Sequence, residues 1–191
     1  MNTFLKPRVI TQAIDVRRFP PDVLRQLKSI TSQFHHKAGH IVLFTGESTS
    51  DNTLAAELLA TQLGHPLYRI DLASLVSKYI GETEKNLTQA FEEAETHDAI
   101  LLFDEADSLF GKRTQVSTAH DRYANLDSSY LLQRIEAYPG LVILTTNNRE
   151  DIDDTLLRNV TWQVELNRPL LQPRLSLVQR ILDWLRKLKL R

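Results

Sequence analysis

No cysteine occurs among the 191 residues, which excludes disulfides, thiol nucleophiles and cysteine-ligated zinc or iron–sulfur centres. Neither sign of charge dominates. Lys plus Arg number 23 against 24 Asp plus Glu, so no overall charge draws the chain to nucleic acid or to an anionic membrane surface. Long apolar runs are also missing, and none approaches the ~18 residues of a membrane span. The first ten residues break their apolar positions with Lys6, Pro7 and Arg8, unlike the apolar core of a signal peptide. The expected compartment is therefore cytoplasmic, with no membrane partner. There is no internal repeat and no low-complexity segment, which argues against a fibrous or disordered chain.

What is present is ordinary for a globular protein: 42% hydrophobic and 25% charged residues. The length suits one domain of roughly 150 residues with a shorter flank, enough to bury a hydrophobic core. Charge is uneven along the chain. From Arg168 onward the balance is +6, leaving −7 for the preceding residues.

Short apolar runs alternate with helical patterns. The runs are 40–44, 67–70, 100–103, 141–144 and 162–166, and continuous β-rich stretches of this length suit strands buried on both faces. Between them, 53–63, 83–95 and 121–137 carry amphipathic helical spacing. Such alternation predicts a parallel five-stranded sheet between helical layers, with ligands at the carboxyl ends of the strands. A lead-in and helix fill 1–39, the helix running from Pro21 to about Lys37 and stopped by Gly39. The core is expected over 40–167, and 168–191 reads as a basic amphipathic helix after Pro169 and Pro173. Packing of its apolar stripe against protein is favoured over a membrane surface.

The strand 100–103 runs directly into Asp104-Glu105-Ala106-Asp107. Carboxylates at the end of a buried strand are costly unless a cation or polar ligand meets them. They suit either a helix cap or the Walker B element of a phosphate-loop NTPase, where the Asp holds Mg²⁺ and the Glu polarises the attacking water. The stretch Ala99 to Arg113, AILLFDEADSLFGKR, resembles the AAA family of ring-forming ATPases. So, in the right order, do Tyr68 to Leu72, Ser77 to Leu87, His120 to Asn125 and Ser129 to Glu136. The similarity covers about residues 40–166 and is nearest to the bacterial branch that includes ATPases accompanying contractile injection systems.

The resemblance implies an αβα phosphate-loop NTPase (AAA+) core, with ATP and Mg²⁺ as cofactors if any nucleotide is bound. It makes Asp104 and Thr53 the magnesium-side residues, Glu105 catalytic, Asn147 the sensor of the lytic water, and Arg158 a finger reaching the γ-phosphate of a neighbouring subunit. It also makes Tyr79, Ile80 and Gly81 a pore loop that grips polypeptide, Tyr79 by its broad aromatic face. Self or related AAA subunits in a ring are the implied partners, with a polypeptide substrate and no nucleic acid.

Three departures concern nucleotide handling. A working Walker A reads G-x-x-x-x-G-K-[ST], whereas residues 46–53 read Gly46-Glu47-Ser48-Thr49-Ser50-Asp51-Asn52-Thr53. Gly46 and Thr53 keep their places, but Asp51 replaces the second glycine and Asn52 the lysine. Carboxylates here repel a triphosphate, each close pair by roughly 1 to 4 kcal/mol, and Asp51 is a candidate to cap the following helix in the phosphate's stead. Asn159 stands where relatives often carry a second arginine. The 25 residues after Leu166 are too few for the usual helical lid, so the lid is expected to be largely missing. The resulting expectation is an AAA-type ring or assembly subunit with weak or absent ATP turnover. Its rival is an active remodelling ATPase in which Ser48, Ser50 and backbone amides hold the phosphates. The weaker histidine cluster, His35, His36 and His40, lacks a carboxylate at ligand spacing and is not expected to bind metal.

Overall fold

The computed structural model describes residues 5–8, 14–35, 38–70, 82–110 and 128–166. The pore-loop residues Tyr79, Ile80 and Gly81 and the tail 168–191 lie outside the described residues.

Six strands form one sheet: β1 (Leu5–Arg8), β2 (His40–Thr45), β3 (Leu67–Ile70), β4 (Ile100–Phe103), β5 (Leu141–Thr146) and β6 (Trp162–Glu165), in the spatial order β1-β3-β4-β5-β2-β6. The last five are mutually parallel, as the alternating pattern predicts. The sixth strand is an addition to that expectation. β1 pairs antiparallel with β3, Leu5 opposite Ile70, within the segment read as a lead-in. Four residues interrupted by Lys6 and Pro7 give no strand period, and Pro7, which lacks an N–H, is tolerated because β1 lies at the edge.

Alternate residues of each strand enter opposite cores, because successive Cβ atoms point to opposite faces. Val42, Phe44, Ile100, Leu102, Leu141 and Ile143 pack with helices α1 (Pro21–Gln33) and α2 (Thr49–Leu63). Ile41, Leu43, Leu101, Phe103, Val142 and Leu144 pack with α3 (Glu82–Thr96) and α5 (Ser128–Ala137). Two short helices, α4 (Asp107–Phe110) and α6 (Asp154–Asn159), carry too few residues to show a helical period in sequence.

α1 starts where expected, with Pro21 in its first turn and Val23, Leu27 and Ile30 buried at helical spacing. It ends at Gln33, earlier than expected: Phe34 is already extended and closes the last turn with its N–H on the Ile30 carbonyl. α2 begins at Thr49, four residues before the position that periodicity indicates. That difference reshapes the site.

Candidate functional site at the carboxyl ends of the central strands

β4, β5 and β2 are neighbours, and each ends in a residue singled out from sequence: Asp104, Asn147 and Gly46. The pairing of Phe103 with Leu144 and of Thr45 with Thr146 brings these ends level. The Gly46 N–H donates to the Thr146 carbonyl at 3.0 Å, tying the loop after β2 to β5.

Only Gly46, Glu47 and Ser48 separate β2 from α2. Ser48 is the N-cap; its Oγ accepts from the Asp51 N–H at 3.3 Å and lies 3.0 Å from Ser50 Oγ. The cap is thus Ser48 and not Asp51, since an N-cap oxygen must reach amides two or three residues ahead of it. The N–H groups of Asp51 and Asn52 both bond the Ser48 carbonyl at 3.0 Å. In a phosphate-binding loop the backbone amides of the loop and of the helix N-terminus face the ligand; here those of Asp51 and Asn52 are spent inside the helix. Thr53 is buried and its Oγ1 donates to the Thr49 carbonyl at 2.8 Å.

Asn52, at the lysine position, is 1% exposed. It folds back on the loop, Nδ2 donating to the Gly46 carbonyl at 3.0 Å, while its Oδ1 is buried without a hydrogen-bond partner among the described residues. A Cβ on Gly46 would come within 2.9 Å of both Asn52 Oδ1 and Leu166 Cβ, so the space beside the glycine is filled. In this conformation the loop does not fit a triphosphate with its magnesium.

The β4 end is built differently. Asp104, with its side chain 8% exposed, has Oδ2 at 2.6 Å from Arg69 Nε, and its Oδ1 accepts from Thr145 Oγ1 at 3.2 Å. The sequence called for a cation or a polar partner at this carboxylate, and β3 and β5 supply one of each. Glu105 is exposed and adopts φ +56°, the left-handed region that ordinary residues avoid. Thr145 holds it there: its Oγ1 accepts from the Glu105 N–H at 3.3 Å and its carbonyl from the Ala106 N–H at 2.8 Å. The Glu105 carbonyl then accepts the Ser108 hydroxyl at 2.7 Å, starting α4. Strain of this kind, of order 1–3 kcal/mol, persists only where surrounding bonds impose it.

Asn147 is exposed, placed between Thr146 and Asn148, which bond each other: Thr146 Oγ1 donates to the Asn148 carbonyl at 3.1 Å. Arg158 is exposed on α6, its Nε donating to the Asp154 carbonyl at 3.3 Å. Asn159, in the second-arginine position, donates instead to Glu136 of α5. The described residues contain no group of three or more His, Asp or Glu side chains placed to hold a metal ion. Nor do they contain a helix long and apolar enough to cross a membrane.

Sequence reasoning missed Arg69 and Thr145. A signal for the first existed in the lone charge of an otherwise apolar and aromatic run, Leu67-Tyr68-Arg69-Ile70. A strand-end threonine carries no comparable mark.

A five-stranded parallel sheet between helical layers, with a glycine turn after β2 and an acidic pair after β4, defines a domain of the phosphate-loop NTPase type. The family profile of the ATPase family associated with various cellular activities (AAA) matches residues 42–170, and the chain belongs to that family. It is 35% identical over 129 residues to an uncharacterised AAA family ATPase, y4kL, of Sinorhizobium fredii, covering 67% of this chain and 39% of that protein. It is 31% identical over 148 residues to spastin of Xenopus tropicalis, covering 74% and 24%. The chain thus matches well under half the length of these curated relatives. Among solved structures, the FIGL-1 AAA domain superposes with a TM-score of 0.64 at 20% identity, over 88% of this chain and 59% of that one. A chain of the Escherichia coli MS115-1 HORMA:CdnC:Trip13 complex gives 0.53 at 21% identity, over 78% and 60%. At those identities the likeness is one of fold.

Proposed function

We propose that this chain is an AAA-type ring or assembly subunit whose own ATP turnover is weak or absent, and which offers Arg158 to the nucleotide of a neighbouring subunit. The observation that carries the reading is the loop after β2, where Asn52 fills the lysine position and α2 consumes two amides that a phosphate would need. Glu47 and Asp51 add negative charge where a triphosphate would arrive. The exposure of Arg158 on a short helix supports a role in trans, because a finger must protrude to reach another subunit's γ-phosphate. Its partners on this reading are related AAA subunits with an intact loop, in the cytoplasm. Tyr79, Ile80 and Gly81 would contribute to contact with a polypeptide.

Titration of the purified protein with MgATP by calorimetry, beside the Asp51→Gly/Asn52→Lys double variant, tests the reading. No saturable heat from the natural protein and micromolar binding by the variant are expected. Micromolar binding by the natural protein overturns the proposal.

One observation favours the rival, an ATP-hydrolysing remodelling enzyme: Glu105 keeps a strained, exposed position after β4, whose neighbour β5 leads into Asn147, as a catalytic carboxylate would. That reading requires the loop after β2 to unwind around nucleotide, with Ser48 and Ser50 turned to the phosphates. It predicts hydrolysis that Glu105→Gln abolishes, whereas the assembly subunit is indifferent to that substitution and sensitive to Arg158→Ala.

A further inference from the structure

The three parallel strands β3, β4 and β5 converge on one carboxylate. Arg69 of β3 stands opposite Leu102 of β4 in the sheet register. Asp104 lies two residues beyond Leu102, so the period of two places Arg69, Leu102 and Asp104 on the same face of the sheet. The arginine stem spans the remaining distance along the strand, and Nε closes on Asp104 Oδ2 at 2.6 Å. From β5, Thr145 Oγ1 closes on Oδ1 at 3.2 Å. Both carboxylate oxygens therefore have partners within the chain.

The charges explain the arrangement. In an intact site of this type Asp104 would hold a divalent cation beside the phosphates that the loop lysine neutralises. This chain has Asn52 in place of the lysine, and the Asp104 carboxylate is 8% exposed, a burial that an unpaired negative charge does not tolerate. We infer that Arg69 is a built-in counter-ion that takes the place of the divalent cation at Asp104, making the aspartate a clasp across β3, β4 and β5 and not a metal ligand. The inference rests on the reading that the loop after β2 does not hold MgATP, and it adds the partner that makes the metal unnecessary.

The two ends of the pair are unequal. Arg69 is 47% exposed, so water solvates its guanidinium when Asp104 is neutralised. Asp104 has no such recourse when Arg69 is removed. Loss of the cation is therefore the damaging change, and neutralising the aspartate as well repairs it.

The test is thermal unfolding of the full chain without nucleotide, with and without millimolar Mg²⁺, for the natural protein, Arg69→Met, Asp104→Asn and the double variant. Arg69→Met is expected to lower Tm by about 5 °C. Asp104→Asn should lower it less, and the double variant should stand above Arg69→Met. Mg²⁺ should raise the Tm of Arg69→Met more than that of the natural protein, since only the variant leaves the carboxylate without a cation. If Arg69→Met does not fold, soluble double variant supports the clasp and an insoluble one overturns it. The inference is also overturned if Arg69→Met is as stable as the natural protein, if the double variant is no more stable than Arg69→Met, or if Mg²⁺ stabilises the natural protein at least as much as the variant. Because no nucleotide is present, this cycle reads the clasp separately. MgATP binding by the natural protein would sink the functional reading by a different measurement.

Discussion

The loop after β2 and the turn after β4 leave the same end of one sheet, separated only by β5, yet they use their backbone in opposite ways. After β2 the chain turns helical at once, and the amides of Asp51 and Asn52 bond the Ser48 carbonyl. After β4 the chain takes a left-handed step at Glu105, held by two bonds to Thr145. The first region has relaxed into local structure; the second keeps a conformation that local preference opposes. A nucleotide site needs both regions held open, so on the proposed reading relaxation of one changes what the site can do.

The relaxed loop is itself only modestly stabilised. Its Ser48 cap contributes about 1 kcal/mol and the Asn52 to Gly46 bond a similar amount, offset by the orphaned Asn52 Oδ1, which costs about 1–3 kcal/mol. Restoring the loop by two substitutions is therefore the strongest way to break the contrast. Asp51→Gly/Asn52→Lys should raise MgATP affinity at least about a hundredfold, near 2.8 kcal/mol, as measured by calorimetry. If affinity is unchanged, the difference between the two regions does not lie in these residues.

A smaller effect tests whether the space beside Gly46 is as full as it looks. Gly46→Ala drives a Cβ into Asn52 Oδ1 and Leu166 and should cost about 2 kcal/mol in urea unfolding. An unchanged midpoint would mean that the loop yields easily. Ser48→Ala removes the cap of α2 and should cost about 1 kcal/mol in the same measurement. Restoration of helicity elsewhere would not compensate, because the Asp51 amide loses its side-chain acceptor. The smallest effect concerns the other region and has the opposite sign. Glu105→Gly relieves the left-handed strain at the expense of a more flexible unfolded chain, and should stabilise by about 0.5 kcal/mol. Destabilisation would show that the Glu105 side chain contributes more than its backbone conformation costs.

Much of the fold was legible. Runs such as 41–44 and 141–144 are apolar at every position, and residues that must fill two cores leave no other pattern. The carboxylates of Asp104 and Glu105 at a strand end marked the candidate site. The extended reach of α2 was not legible, since Glu47, Ser48, Thr49, Ser50 and Asp51 carry no apolar period, and the capping serine is recognised only once the helix start is known. The end of α1 was missed for a related reason: Phe34 continues the apolar spacing although the backbone has already left the helix. Arg69 stayed hidden because its role depends on the register of β3 against β4.

The sequence by itself determined the strand–helix alternation, the AAA family and the loss of the lysine and second glycine after β2, all of which reside in residue type and order. Tertiary structure alone decided what fills those losses. Asn52 meets Gly46, and Arg69 and Thr145 meet Asp104, through contacts between residues 6, 35 and 41 positions apart. Pairings of that kind depend on strand register and on which face a side chain takes, and neither is written in local sequence.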